Sequence, residues 1–519
     1  MCREHSHPEQ NSGQDGSARR NFLKTIALSA AGLGIANAQE SSAKPPKTSS
    51  RVSRLFQQAK PLRVKPVLVY HMYKKQEAAT WKEWGGLKSE QDVDREAKKI
   101  AGELSQMSGQ AEFKLDIMPL DKVNSEESLK KSLSAECDLY LVYGAGAGGP
   151  GLYSFKWIEA LAESGKPNVM FLRHKSGPIS LLYETVHPYF LRKGKDEFVQ
   201  KNLTLDDIVV DNYDQVRWRL RAWRGLLCTK GAKIVAIGGP SSGGLPHECP
   251  ASAKETWDLD IITVADEKLK QRISKAHADS TAVDLARGQM REYLKNGVVS
   301  VEAKKESIHN AFILANTLRD VMQENDANAV TIKNCMNFGS TAKTTPCLAF
   351  SLLNDSGCLA FCESDFSAIP AGMLLANISG KPVFLNDPTF PHDGVCTCAH
   401  CSCTRRLDGV NLEPVKILTH CESDYGAAPK VLFSKGQRIT NLVPSFAGDK
   451  WVGFTGKITD HPSFDICRSQ LDCTIEGNWK KLLQEMRGFH WITGYGQYLD
   501  EIGYALGKVD VQWLNVSES

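Results

Sequence analysis

The sequence predicts an α/β protein: two doubly wound parallel-sheet domains followed by a smaller β-rich C-terminal domain. Three observations carry this expectation. Short apolar runs alternate with amphipathic stretches from Pro66 onward; glycine-rich turns follow two of those runs; and after Leu407 the rhythm changes to closely spaced strand-like segments.

The first cycle opens with "PVLVYHMY", a buried strand by its unbroken apolar run. "SEQDVDREAKKIAGELSQM" has helical periodicity with Ser89 as its N-cap, and "EFKLDIMPL", "DLYLVYGA" and "NVMFLRH" read as further strands. Strand, helix, strand in this order implies a parallel, Rossmann-like sheet over 51–205. A second cycle, 206–405, begins with the helical "NYDQVRWRLRAWRGLLC". It runs through the strands "AKIVAIGGP" and "LDIITVA" and the long helix "ESIHNAFILANTLRDVMQEN", and "AVTIKNC" and "CLAFSLLND" continue it. In 406–519, "VKILTHCES", "PKVLFSKGQRITNLVPSF", "KWVGFTGKITD" and "QLDCTIEG" are strand-like, whereas "NWKKLLQEM" and "GQYLDEIGYALGK" look helical.

Residues 1–50 have a different texture. Arg19 and Arg20 precede a short apolar run over 22–35 that ends in Ala36, Asn37 and Ala38, the layout of a charged region, an apolar region and a small-residue cleavage site. "RRNFLK" resembles the twin-arginine export motif, which the export machinery reads as an address. The resemblance implies a folded protein delivered to the periplasm or secreted. The run is shorter than the ~20 apolar residues of a membrane span, so no stable membrane anchor is expected.

The 519 residues allow several hydrophobic cores. A formal charge of +3 gives no electrostatic footprint for nucleic acid, which leaves small molecules as the expected partners. The loops "YGAGAGGPG" and "IGGPSSGG" each follow a strand, but neither has the spacing of a dinucleotide fingerprint, and a tight turn explains them better.

The chemistry concentrates in "LLNDSGCLAFCESDFSAIPAGMLLANISGKPVFLNDPTF". Glu363 and Asp365 follow an apolar strand-like run and lead into an apolar helix; a second strand, "KPVFLND", ends at Asp387. If those strands are parallel neighbours, Glu363 and Asp387 face one another. Two close carboxylates repel unless a cation lies between them or one holds a proton, so a divalent metal site is physically reasonable. Asp365 alone reads as a helix N-cap.

This segment resembles the active-site segment of the L-fucose isomerase and L-arabinose isomerase superfamily. Two further stretches, "THCESDYGAAPKVLFSKGQRITNL" and "CRSQLDCTIEGNWKKLLQEMRGFHWITGYGQY", resemble later segments of that family in the same order. The resemblance is strongest over 350–505. It implies Glu363, Asp387 and His490 as ligands of Mn²⁺ or Mg²⁺, with Glu363 and Asp387 also catalytic. It further implies an aldose–ketose isomerase that works through an ene-diol on a monosaccharide or sugar derivative. Trp491 and Tyr495 are then expected to form a wall for the sugar, His420 to lie beside the site, and the chain to assemble as a trimer or hexamer. The family's Y-G-D motif reads "YGQY" here, with Gln497 in place of the acid.

The segment 394–406, "GVCTCAHCSCTRR", holds four of the fifteen cysteines. Read alone it suggests a metal cage, but its C-x-C-x-x-C-x-C spacing matches neither ferredoxins nor paired zinc knuckles. Its place after Asp387 makes it a wall of the site. The resemblance supplies His400 as a fourth ligand and Arg405 or Arg406 as substrate contacts. Two other readings compete: another metal-dependent sugar-processing enzyme, such as an epimerase or lyase, and a non-catalytic periplasmic sugar-binding protein. An iron–sulfur or zinc redox carrier is a further alternative.

Overall fold

A computed structural model describes residues 60–72, 77–78, 87–145, 153–243 and 248–518. The twin-arginine segment, the start of the 51–205 unit and most of the first glycine loop lie outside the described residues. No helix among the described residues is long and apolar enough to cross a membrane.

The chain is mixed α/β. The first sheet is built from β1 (Leu62–Tyr70), β2 (Leu115–Ile117), β3 (Asp121–Val123), β4 (Leu139–Ala145), β5 (Asn168–Leu172) and β6 (Ile208–Val210), in the order β2-β1-β4-β5-β6 with β3 alongside β1. Every pairing is parallel. Strands β1, β4 and β5 are buried along nearly their whole length, as expected when helices cover both faces. Ser89 caps the helix Glu90–Gly109 by accepting a hydrogen bond from the Asp92 amide at 3.2 Å.

The following stretch supplies β7 (Lys233–Ile237), β8 (Asp260–Val264), β9 (Val298–Val301), β10 (Ala329–Ile332) and β11 (Leu359–Cys362). Strands β11-β10-β7-β8 form a second parallel sheet, and β9 leaves it to pair with later strands. "CLAFSLLND" folds as part of the helix Pro346–Asp355, with proline in its first turn where no amide donor is needed.

The remaining strands are β12 (Phe384–Pro388), β13 (Val395–His400), β14 (Val415–Leu418), β15 (Ala428–Val431), β16 (Arg438–Pro444), β17 (Lys450–Asp460), β18 (Ser469–Thr474), β19 (Trp491–Tyr495) and β20 (Gln512–Asn515). The run β16-β19-β12-β13-β18-β17 closes on itself through β16–β17 pairing, making an antiparallel barrel to which β20 adds in parallel. Closure removes the exposed strand edges that an open sheet would leave.

The barrel corrects one expectation. Strand β12 does not lie beside β11 in a parallel sheet; it sits between β19 and β13, antiparallel to both. The β-rich part therefore recruits strands from before residue 405. The fully buried helix Ile369–Ser379 separates β11 from β12 and ends at Gly380, whose φ of 68° lets the chain turn back. Where this helix meets β11, Gly372 allows close approach: a Cβ there would lie 2.4 Å from the Phe361 ring.

Candidate metal centre at the barrel rim

Strand register gathers most of the site. Asn386 pairs with Trp491 in the antiparallel β12–β19 ladder, so the next residues, Asp387 and His490, come face to face. On the other side Asp387 pairs with Ala399, the neighbour of His400. Glu363 arrives from the carboxyl end of β11, the edge where parallel sheets place functional groups.

Its turn is tightly specified. Glu363 and Ser364 have φ values of 64° and 49°, a left-handed conformation that is uncommon outside glycine and clusters at functional sites. The Ser364 amide donates to Thr331 Oγ1 at 3.0 Å, and its carbonyl accepts from the Ser241 amide at 3.1 Å. Ser241 Oγ donates to the Glu363 carbonyl at 3.3 Å. The second glycine loop thus braces the Glu363 turn.

Four groups converge. Nε2 of His490 lies 3.3 Å from Asp387 Oδ1 and 3.6 Å from Glu363 Oε2, and Nε2 of His400 lies 3.8 Å from Glu363 Oε1. The imidazoles form a buried floor at 0% and 5% side-chain exposure; the carboxylates of Glu363 and Asp387 remain 41% and 32% exposed. Asp387, His400 and His490 are spaced to hold a metal ion, as are Cys362, Glu363 and His400.

Each histidine is aimed from behind. His490 Nδ1 is 2.8 Å from Asp365 Oδ2, and a proton shared there leaves Nε2 with its lone pair directed at the carboxylates. Asp365 also accepts from the Ser367 amide at 2.9 Å through Oδ1, so it caps its turn and orients a histidine at once. His400 Nδ1 faces Ser402 Oγ at 2.9 Å. In the protein alone, His490 Nε2 and Asp387 Oδ1 are buried and without a hydrogen-bond partner. Two adjacent electron-rich atoms left this way fit a shared cation, and two carboxylates with imidazole suit Mn²⁺ or Mg²⁺.

Electrostatics separates the carboxylates. The neighbouring His400 holds Glu363 below the usual carboxylate range, whereas burial raises Asp387. Burial also disfavours the imidazolium of His400, but Glu363 and Asp387 outweigh it and push its pKa up to about 9.

The structure thus gathers Glu363, Asp387, His400 and His490. His420 lies near Glu363, at 7% exposure, with Nδ1 3.0 Å from Ser423 Oγ. The other expected contacts point elsewhere. Trp491 is fully buried in the barrel core, edge-on to Phe454, and Tyr495 donates to Glu413 Oε1 at 3.0 Å from the interior. They share one face of β19, and that face looks into the barrel. Arg405 is fully buried; it donates to the Glu413 carbonyl at 2.8 Å and to the Asn296 carbonyl, under the Tyr293 ring. It ties the rim loop to the helix end at Asn296.

Sequence reading missed three residues: Asp365 as the partner of His490, Ser402, and Phe489. Phe489 is 47% exposed, and its ring centroid is 4.6 Å from that of His490. Its position just before His490 was the available signal.

No protein-family model matches the chain, and comparison with curated proteins finds no match.

Proposed function

We propose that the chain is a metal-dependent sugar isomerase that interconverts an aldose and a ketose. One observation carries the reading: two partly exposed carboxylates stand over two buried, pre-aimed imidazoles, with His490 Nε2 and Asp387 Oδ1 left unpartnered between them. Glu363, Asp387, His490 and His400 would hold Mn²⁺ or Mg²⁺. When bound, the ion supplies Lewis-acid polarisation of a carbonyl and its neighbouring hydroxyl.

The protein's own groups then divide the proton work. Glu363, held in its ionised form beside His400, removes the proton from the carbon next to the carbonyl. Asp387, 3.3 Å from His490 Nε2, returns a proton to the adjacent carbon, and the hydroxyl proton passes from one substrate oxygen to the other. Asp365 keeps His490 in one tautomer throughout. Phe489 offers an apolar face to a sugar ring or chain. In this reading the two parallel sheets are doubly wound domains and the barrel is the β-rich domain. The chain is exported after folding through its twin-arginine segment and assembles as a trimer or hexamer.

The test is metal analysis of the wild type beside Glu363→Gln, followed by a screen of aldoses and ketoses with Mn²⁺ supplied. Bound divalent metal and interconversion in the wild type, both lost in the variant, support the reading. Retention of both by Glu363→Gln sinks it.

A further inference from the structure

Three thiols meet inside the barrel, away from the carboxylates. Cys396 pairs directly with Cys473 across the β13–β18 ladder, and their sulfurs are 3.5 Å apart. Cys398, two residues along β13 and on the same face, completes a group whose sulfurs all lie within 4.8 Å of one another. The three side chains are 2%, 0% and 0% exposed for Cys396, Cys398 and Cys473.

Their surroundings are not those of cysteines used as small hydrophobes. Asn441 Nδ2 points at Cys398 Sγ from 3.6 Å. Thr493 Oγ1 accepts from Asn386 and Asn441 at 3.0 and 2.9 Å. An amide donor therefore faces a buried sulfur. Asn441 Oδ1 is itself buried and unpartnered at the edge of the group. An apolar barrel has no use for these polar groups, whereas a cation held by sulfur explains them.

The geometry points to a second metal site, in which the sulfurs of Cys396, Cys398 and Cys473 bind a soft, thiophilic d¹⁰ cation, Zn²⁺ or Cu⁺, with Asn441 beside it. Thiolates select such ions over the hard ones that carboxylates prefer. Each ligating cysteine releases its proton on binding. The site is enclosed by strands on every side, so the ion enters before the barrel closes.

The full chain is purified in reduced form, unfolded and refolded anaerobically with Zn²⁺ in one arm and Cu⁺ in the other. The expected result is one tightly held equivalent in at least one arm, and the arm that retains it identifies the ion. Glu363→Gln keeps this equivalent; Cys398→Ser and Cys473→Ser each weaken it at least tenfold. X-ray absorption on the loaded wild type, which depends on no variant folding, shows a sulfur shell, at about 2.3 Å for zinc. Failure of both ions to bind, a shell of nitrogen and oxygen only, or full retention by Cys473→Ser overturns the proposal. So does a Cys396–Cys473 disulfide revealed by alkylation before and after reduction.

Discussion

The two ends of β13 make an instructive contrast. At the barrel rim His400 meets Asp387 and Glu363, whose side chains keep 32% and 41% of their exposure. Two and four residues earlier, Cys398 and Cys396 meet Cys473 at no more than 2% exposure. One strand thus runs from thiols in the dry interior to an imidazole that faces partly exposed carboxylates from neighbouring elements. Solvation explains the division. An ionised carboxylate loses much when stripped of water, whereas a thiol tolerates an apolar interior and becomes charged only when a cation or donors compensate it. A short stretch of sequence can therefore serve two chemistries, provided the fold separates them by depth.

The largest effect expected at the rim is that of Glu363→Gln, which removes a base and a metal ligand at once: turnover of the identified sugar falls by at least the ~10²–10⁴-fold share of a general base. A smaller loss in steady-state kinetics would move the base elsewhere. Trp491→Ala tests the interior. As a core residue its truncation costs about 3–5 kcal/mol in denaturant unfolding, and Trp491→Phe, which retains most of the packing, leaves KM for the sugar unchanged. An increase in KM without loss of stability would return Trp491 to the sugar wall. Asp365→Asn removes the carboxylate behind His490 and weakens metal affinity by about 10–100-fold in a titration, as for other partners that orient a ligand from behind. Unchanged affinity would show that packing alone aims the ring. The smallest effect belongs to a region remote from both clusters: Ser89→Ala removes a helix cap and costs about 1 kcal/mol on thermal unfolding. Metal content per folded protein stays constant in that variant, and any change would mean that the first sheet and the rim are coupled.

Local signals made much of this legible. The 3.6-residue period and Ser89 marked the helix that the structure places at Glu90–Gly109, and continuous apolar runs marked β1, β4, β5 and β7. Glu363 and Asp387 were singled out before any fold was known, because each is a carboxylate at the end of an apolar run, whereas His490 and His400 came only from the resemblance to the isomerase superfamily. The substrate contacts fared worse. Trp491 and Tyr495 follow His490 in sequence, but a strand sends alternate residues to opposite faces, and only barrel closure shows that their face is the interior. Arg405 was expected as a substrate contact from the resemblance alone; here the carbonyls of Glu413 and Asn296 claim it.

By itself the sequence determined the residue types that can do the chemistry and the local elements that carry them, since periodicity, capping and side-chain identity act over a few neighbouring residues. The tertiary structure alone decided how they meet. The antiparallel register of β12 between β19 and β13 sets Asp387 against His490 and beside His400, and the Glu363 turn comes in from a separate parallel sheet. It also carried Cys473 across from β18 to Cys396, a pairing separated by 77 residues. Such contacts depend on which strands become neighbours when the barrel closes, and no local pattern encodes that choice.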